Sequence, residues 1–465
     1  MTRIRLLAPG LIDYRELLGA SVQDVGRYDD FWAGVHDPVH AALSASAPDP
    51  ADPPVLEVRR TDVRGRFNRY TQIDVDTLER PVEALVLRLG RGHVDLPLPP
   101  MLDQAGGVTI EARLYDNGIF TVEAEAEVAL PGSLASDASL VDDVLDELRE
   151  SMVAWGDVLA HEVHDRYLVP VVAALRDHDR HGQVVAARSA GDDVRDHGRV
   201  LWVTRSLLVD PGTTGWRELA AYWVKDSAGD ADPQSVIPTD ADPHGHLVRW
   251  LNYLFVYRSH ASPYVTETYP DEWAALRLAQ YFYAAMENID AQLTQVLAQS
   301  LSPLPAVTLS ELQAELEDCS RRAQFITMHL KDVTKYLTRA VRVELASILA
   351  YWEFDEVVVA PVELKVAACE RRLGELADQR NARASVFTDT ILLGIGITSI
   401  LGTTVALTEF GRTMAVDPGM AGYDTSQSSI TSWIAAQPAD LLLIASVGIS
   451  VLLAVVYAYF RRAHR

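Results

Sequence analysis

The run Ile391-Leu392-Leu393-Gly394-Ile395-Gly396-Ile397-Thr398-Ser399-Ile400-Leu401-Gly402-Thr403-Thr404-Val405-Ala406-Leu407-Thr408 decides how the rest of the chain is read. Its eighteen residues carry no charge between Asp389 and Glu409. A second uncharged run, 441–460, is twenty residues long. Each is about the length that crosses ~30 Å of hydrocarbon as a helix. Burial in a soluble core explains one such run, whereas two near the C-terminus predict a membrane hairpin. Arg380 and Arg383 precede the first run, and Arg461, Arg462 and Arg465 follow the second. The connecting loop 410–440 offers only Arg412, beside Asp417, Asp424 and Asp440. This asymmetry predicts a multi-pass protein of the inner (plasma) membrane, both termini cytoplasmic and the loop outside. Small residues recur every four positions, at Gly394, Thr398 and Gly402 and at Ser446, Ser450 and Ala454, which predicts close helix packing.

Working back from the first run, the chain reads as a helical stem. Thr308 and Glu311 have capping-box spacing. Leu312, Leu316, Cys319, Ala323, Ile326, Leu330, Val333 and Leu337 then form a heptad seam, which calls for a partner helix. The seam changes phase to Val341, Leu345, Ile348 and Trp352. Pro361 is expected to interrupt the helix. A second seam, Val362, Val366, Cys369, Leu373 and Leu376, leads into the first run as one rod. Packing within one chain and packing between subunits satisfy this coiled-coil pattern equally well. Extended at the same spacing, the second seam reaches Thr390, Gly394, Ile397, Leu401, Thr404 and Thr408, a stripe that faces the axis if several copies assemble.

The remainder is expected to be an α+β cytoplasmic head, giving domains 1–306 (head), 307–386 (stem) and 387–465 (transmembrane hairpin). Strands are predicted at 3–7, 55–60, 70–75, 84–89, 108–115 and 120–129, the last two joined by Asp116-Asn117-Gly118. Residues 139–180 and 271–301 are read as helices, and 199–209 as a buried strand. The stretch 247–257 suits strand or helix equally.

A net charge of −24 excludes a nucleic-acid partner, because phosphate binding needs basic surface. Cys319 and Cys369 are the only cysteines, too few for a disulfide framework or a zinc site, and point to a reducing compartment. No phosphate-loop, dinucleotide or nucleophile-elbow motif occurs, so no enzyme is expected. His161 and His164 share a helix face at a spacing that suits a metal, with His178 and His181 beyond, although surface histidines are the simpler reading. His244 and His246 fall in a loop. Asp142-Asp143, Asp146-Glu147 and Asp192-Asp193 read as solvated faces, or as a regulatory divalent-cation site on the head.

A head of strands and helices, a stem helix entering the first span and a C-terminal hairpin together resemble the CorA-like metal-ion transporters. Residues 379–388, Gln-Arg-Asn-Ala-Arg-Ala-Ser-Val-Phe-Thr, look like that family's junction of stem and membrane. The resemblance implies a homo-oligomer, a pentamer, that conducts a divalent cation such as magnesium. It adds Asn381 to the pore wall of Thr390, Gly394, Ile397, Leu401, Thr404 and Thr408. The family's Gly-Met-Asn is absent; the closest string is Gly419-Met420-Ala421. A second resemblance, carried by 250–253 (Trp-Leu-Asn-Tyr) and 278–283 (Leu-Ala-Gln-Tyr-Phe-Tyr), is to actinobacterial conflict-system (defence) membrane proteins with caspase-like and TPR partners. The expected function is therefore an oligomeric CorA-like bacterial inner-membrane protein in contact with lipid, an ion channel or transporter of unknown selectivity. The alternative is a membrane-anchored signalling or defence component whose head senses a ligand or a cytoplasmic protein partner.

Overall fold

A computed structural model describes residues 2–12, 16–17, 25–58, 83–100, 102, 107–115, 117–128, 138–178, 185–186, 199–212, 214–225, 237, 245–249, 251–256, 269–301, 306–335, 337–416, 433, 437–438, 440–441, 444–452 and 455. The chain forms two compact units, Met1–Pro303 with Ser310–Cys369, and Leu304–Leu309 with Glu370–Arg465.

The first unit is built on strands β1 (Thr2–Leu11), β2 (Glu16–Leu17), β3 (Val55–Val58), β4 (Glu83–Gly90), β5 (Val108–Tyr115), β6 (Ile119–Glu127), β7 (Val185–Ala186), β8 (Arg199–Val200), β9 (Thr204–Val209), β10 (Gly245–Val248) and β11 (Asn252–Val256). One mixed sheet runs β10-β11-β9-β1-β6-β5-β4-β3, with β8 also paired to β1; β2 and β7 pair separately. Every pairing is antiparallel except β9 with β11. The β5–β6 hairpin turns through Asn117-Gly118, and Gly118 takes the positive φ (78°) that the turn demands. The expected strand 70–75 lies outside the described residues. The ambiguous stretch 247–257 resolves into β10 and β11.

The described helices are α1 (Val25–Ser46), α2 (Ala138–Val163), α3 (Val169–His178), α4 (Trp216–Val224), α5 (Pro270–Ser300), α6 (Ala306–Val333), α7 (Arg339–Tyr351) and α8 (Ala360–Val416), of which α1 to α4 cover one face of the sheet and α5 the other. Strand alternation sends Ile4, Leu6, Ala8, Val122, Leu207 and Leu254 into one apolar core with α1 to α4. The opposite face carries Arg5, Arg113, Glu123, Ser206 and Tyr253 toward α5, whose Trp273, Phe282 and Met286 are buried. Pro270 opens α5 at a position where its missing N–H costs nothing, and Asp271 and Glu272 complement the helix dipole.

Both stem seams pack within the chain. Leu312, Leu316, Cys319, Ala323 and Ile326 are buried, as are Val341, Leu345, Ile348 and Trp352, and Val362 and Cys369. The partner is α5: Cys319 Sγ lies 3.6 Å from Gln292 Oε1, and Cys369 Sγ 3.6 Å from the Leu293 carbonyl. The change of phase between the seams is a break in the helix, where Thr338 caps α7 by accepting from the Val341 amide at 3.3 Å. Thr308 lies inside α6, so it is not the cap its spacing suggests. Pro361 does not interrupt the chain either. A π-helical turn, Asp355–Val359, delivers it into the first turn of α8, where its ring is tolerated.

Among the described residues no helix is long and apolar enough to cross a membrane. The two expected C-terminal transmembrane helices are corrected accordingly, together with the multi-pass inner-membrane placement and the external loop 410–440. The first run lies within α8. Seven of residues 391–406 are Gly, Ser or Thr, which dilutes the apolar character of the run. The second run is described only at 441, 444–452 and 455.

Candidate functional site

The residues expected to line a pore all belong to α8. Asn381 and Gly394 are exposed, whereas Ile397, Leu401 and Thr404 share a half-buried stripe; Thr390 and Thr408 are helical. On the small-residue stripes, Ser446 and Ser450 are buried, but Gly394, Thr398 and Gly402 are exposed.

The histidines do not converge. His161 is half-exposed, with Nδ1 2.8 Å from the Asp157 carbonyl. His164 is a core residue rather than a surface one. It opens a π-helical turn, His164–Leu168, contacts Asp165 at 2.7 Å through Nδ1 and packs against Phe120. His178 packs beside Gly34, while His181 and His244 lie outside the described residues. Among the described residues no group of three or more His, Cys, Asp or Glu side chains could hold a metal ion.

The polar chemistry of the first unit sits on the two faces of its sheet. Facing α5, a charge ladder crosses five strands. Glu57 (β3) meets Arg88 (β4) at 3.2 Å, Arg88 meets Glu111 (β5) at 3.0 Å, and Arg113 (β5) bridges Glu111 and Glu123 (β6), the latter at 2.9 Å. Glu125 (β6) pairs with Arg3 and Arg5 on β1. Side-chain exposure falls from 52% at Arg88 to 12% at Glu123, so the ladder runs from solvent to interior. There α5 closes it: Trp273 Nε1 donates to Glu123, and Arg277 lies 3.5 Å from the same carboxylate. Burial alone would raise the Glu123 pKa, but Arg277, Arg113, Arg5 and the Trp273 hydrogen bond outweigh it and hold the carboxyl below its usual range. One turn further along α5, Gln280 accepts from Trp202 Nε1 at 2.6 Å and donates to the Tyr253 hydroxyl at 2.7 Å. Both ends of this buried amide are thus satisfied. Burial pushes the Tyr253 hydroxyl far up, so it stays neutral.

The face toward α2 and α4 is apolar except where Arg205 and Asn252 stand side by side on β9 and β11. Arg149 of α2 reaches the same region and is engaged through its terminal nitrogens. It pairs with Asp146, donates to the carbonyls of Tyr222 (2.6 Å) and Trp223 (2.9 Å) and lies over the Trp223 ring. No described carboxylate pairs with Arg205, whose buried Nε has no hydrogen-bond partner; the buried Oδ1 of Asn252 has none either. Burial and the Arg149 charge together lower the Arg205 pKa. The next residue back from Asn252, Leu251, takes a left-handed φ of 60°, and its carbonyl accepts from the Arg205 amide at 2.9 Å.

The sequence reasoning passed over this pair. The signal was present: Arg205 is the sole charge in the run 202–209, Trp-Val-Thr-Arg-Ser-Leu-Leu-Val, which alternation marks as a buried strand.

No protein-family model, curated protein or solved structure matches this chain. The CorA-like layout and the defence-system resemblance therefore gain no support, and with no membrane-crossing helix among the described residues ion transport is not carried forward.

Proposed function

We propose that this chain is a non-catalytic sensing component: the α+β unit takes up a ligand or partner, and α8 assembles copies of the chain. The observation that carries this reading is the position of α5 within the first unit. Its N-terminal half is held to the sheet through Trp273 and Arg277 on Glu123. Its C-terminal half is held to the stem, by Gln292 to Arg322 of α6 and by Asp290 to Lys365 of α8 at 2.6 Å. A change at the sheet thus has a direct mechanical path to the first turns of α8. That helix continues to Val416 and exposes Leu392, Ile395 and Val405 in a stretch that carries no charge. In a chain of net charge −24, such a stretch is where two copies meet with least repulsion.

Sedimentation velocity of the full chain in aqueous buffer tests the assembly role. A mass of two or more chains is expected, reduced to one by the paired change Leu392→Lys and Ile395→Lys. A monomeric wild type overturns the reading, and so does a chain that stays in solution only with detergent.

A further inference from the structure

A guanidinium set in a strand of buried residues normally carries a carboxylate partner, because taking a charge out of water without one is disfavoured. Arg205 is half-buried, has none among the described residues, and its Nε is sealed from solvent without an acceptor. Its neighbours deepen the imbalance. The charge acting on it is that of a second arginine, Arg149, whose own partners, Asp146 and the carbonyls at the C-terminus of α4, are already engaged. On the adjacent strand Asn252, 8% exposed, turns an unpartnered acceptor into the same apolar wall. The backbone beside it is strained at Leu251, and left-handed conformations of bulky residues persist where surroundings enforce them, often at binding sites.

We propose that Arg205, Arg149 and Asn252 form a binding site for a small oxyanion, a carboxylate or phosphate group that also bears a hydroxyl. The Arg205 guanidinium donates to the anionic oxygens, and Arg149 adds a second positive charge held rigidly by α4. The hydroxyl, or a protonated phosphate oxygen, donates to Asn252 Oδ1. One ligand thereby satisfies an orphaned donor, an orphaned acceptor and an unbalanced charge together. The depressed proton affinity of Arg205 agrees with the same crowding of positive charge. The site deepens the sensing role by naming its ligand class, and its test reads ligand binding rather than assembly, so the two can fail separately.

The test is thermal unfolding of the full chain, titrated separately with inorganic phosphate and with malate against chloride at matched ionic strength. A saturable rise in Tm is expected with at least one of them. Phosphate alone assigns a phosphoryl ligand, and malate alone a hydroxycarboxylate. Arg205→Met is expected to abolish the rise while unfolding no lower than wild type without ligand, since it removes an uncompensated charge. Arg205→Lys is expected to retain a weaker rise. No saturable shift with either anion, or an equal shift in Arg205→Met, overturns the proposal. A ligand-free Arg205→Met that unfolds well below wild type also overturns it, because Arg205 would then be a satisfied structural residue.

Discussion

Glu123 is the carboxylate on which the charges of the α5-facing side of the sheet converge. Three arginines from three elements, Arg113, Arg277 and Arg5, face it, and Trp273 donates to it. Glu123→Gln keeps the shape and strands the arginines, and a loss of about 3–5 kcal/mol in urea unfolding is expected, the usual cost of removing one partner of a buried pair. The pH dependence follows from the same contacts. The folded pKa lies below the unfolded one, so the stabilisation is present above the unfolded carboxylate range and disappears as pH falls through the folded value. Tm measured against pH should drop on the acid side in the wild type, with a shallower drop in Glu123→Gln. The two cysteines make a second prediction at this scale. Cys319 and Cys369 are buried against α5, and burial raises both thiol pKa values. Neither should react with a thiol reagent such as Ellman's until denaturant is added, when two thiols per chain should appear.

Among the elements, α7 is tied to the sheet edge by one contact that titrates. His246 on β10 lies 2.8 Å from Glu344, between the rings of Phe255 and Tyr269, with the charge of Glu272 nearby. Burial disfavours the charged ring, but the Glu344 hydrogen bond and the two carboxylates prevail and raise its pKa. Its contribution is therefore complete below the unfolded histidine range and is lost as pH rises through the folded value. His246→Gln should cost up to about 1 kcal/mol near pH 5.5 and little near pH 8.5, read as the difference between urea curves. Much at this scale was legible in the sequence. Alternation in 108–115 marked β5 to its ends and the seams named the buried face of each stem helix, whereas the change of phase, read as a four-residue step in one helix, is the α6–α7 break. Other elements were hidden. Helix α1 carries Gly34 and Pro38 inside it, residues that read as breakers, and α4 is too short for periodicity to register. The uncharged run in α8 misled because length and lack of charge were weighed above its Gly, Ser and Thr content. The charge of Arg205 in an apolar strand was legible, but its lack of a partner was not, because a missing partner is a property of three dimensions.

For the whole molecule, charge sets the terms of assembly. At −24 the copies repel, and the uncharged part of α8 has to overcome that. Association should tighten as ionic strength rises from about 0.01 M to about 0.15 M, because the screening length shrinks from ~30 Å to ~8 Å. Sedimentation at the two salt concentrations checks this, and weaker association at high salt would point to ion pairs between copies instead. The sheet order bears on how the chain is made. Strand β1 lies in the middle, flanked by β6 and by β9, which begins at Thr204. Strand β1 thus waits for about two hundred residues of synthesis with one edge unpaired, while β5 and β6 can close as a local hairpin at once. Such long-range pairing slows folding and leaves a sticky edge open. The nascent chain is therefore a natural client for a chaperone until the residues after Thr204 arrive, and a message cut short before that codon yields a fragment whose sheet ends in the open edge of β1.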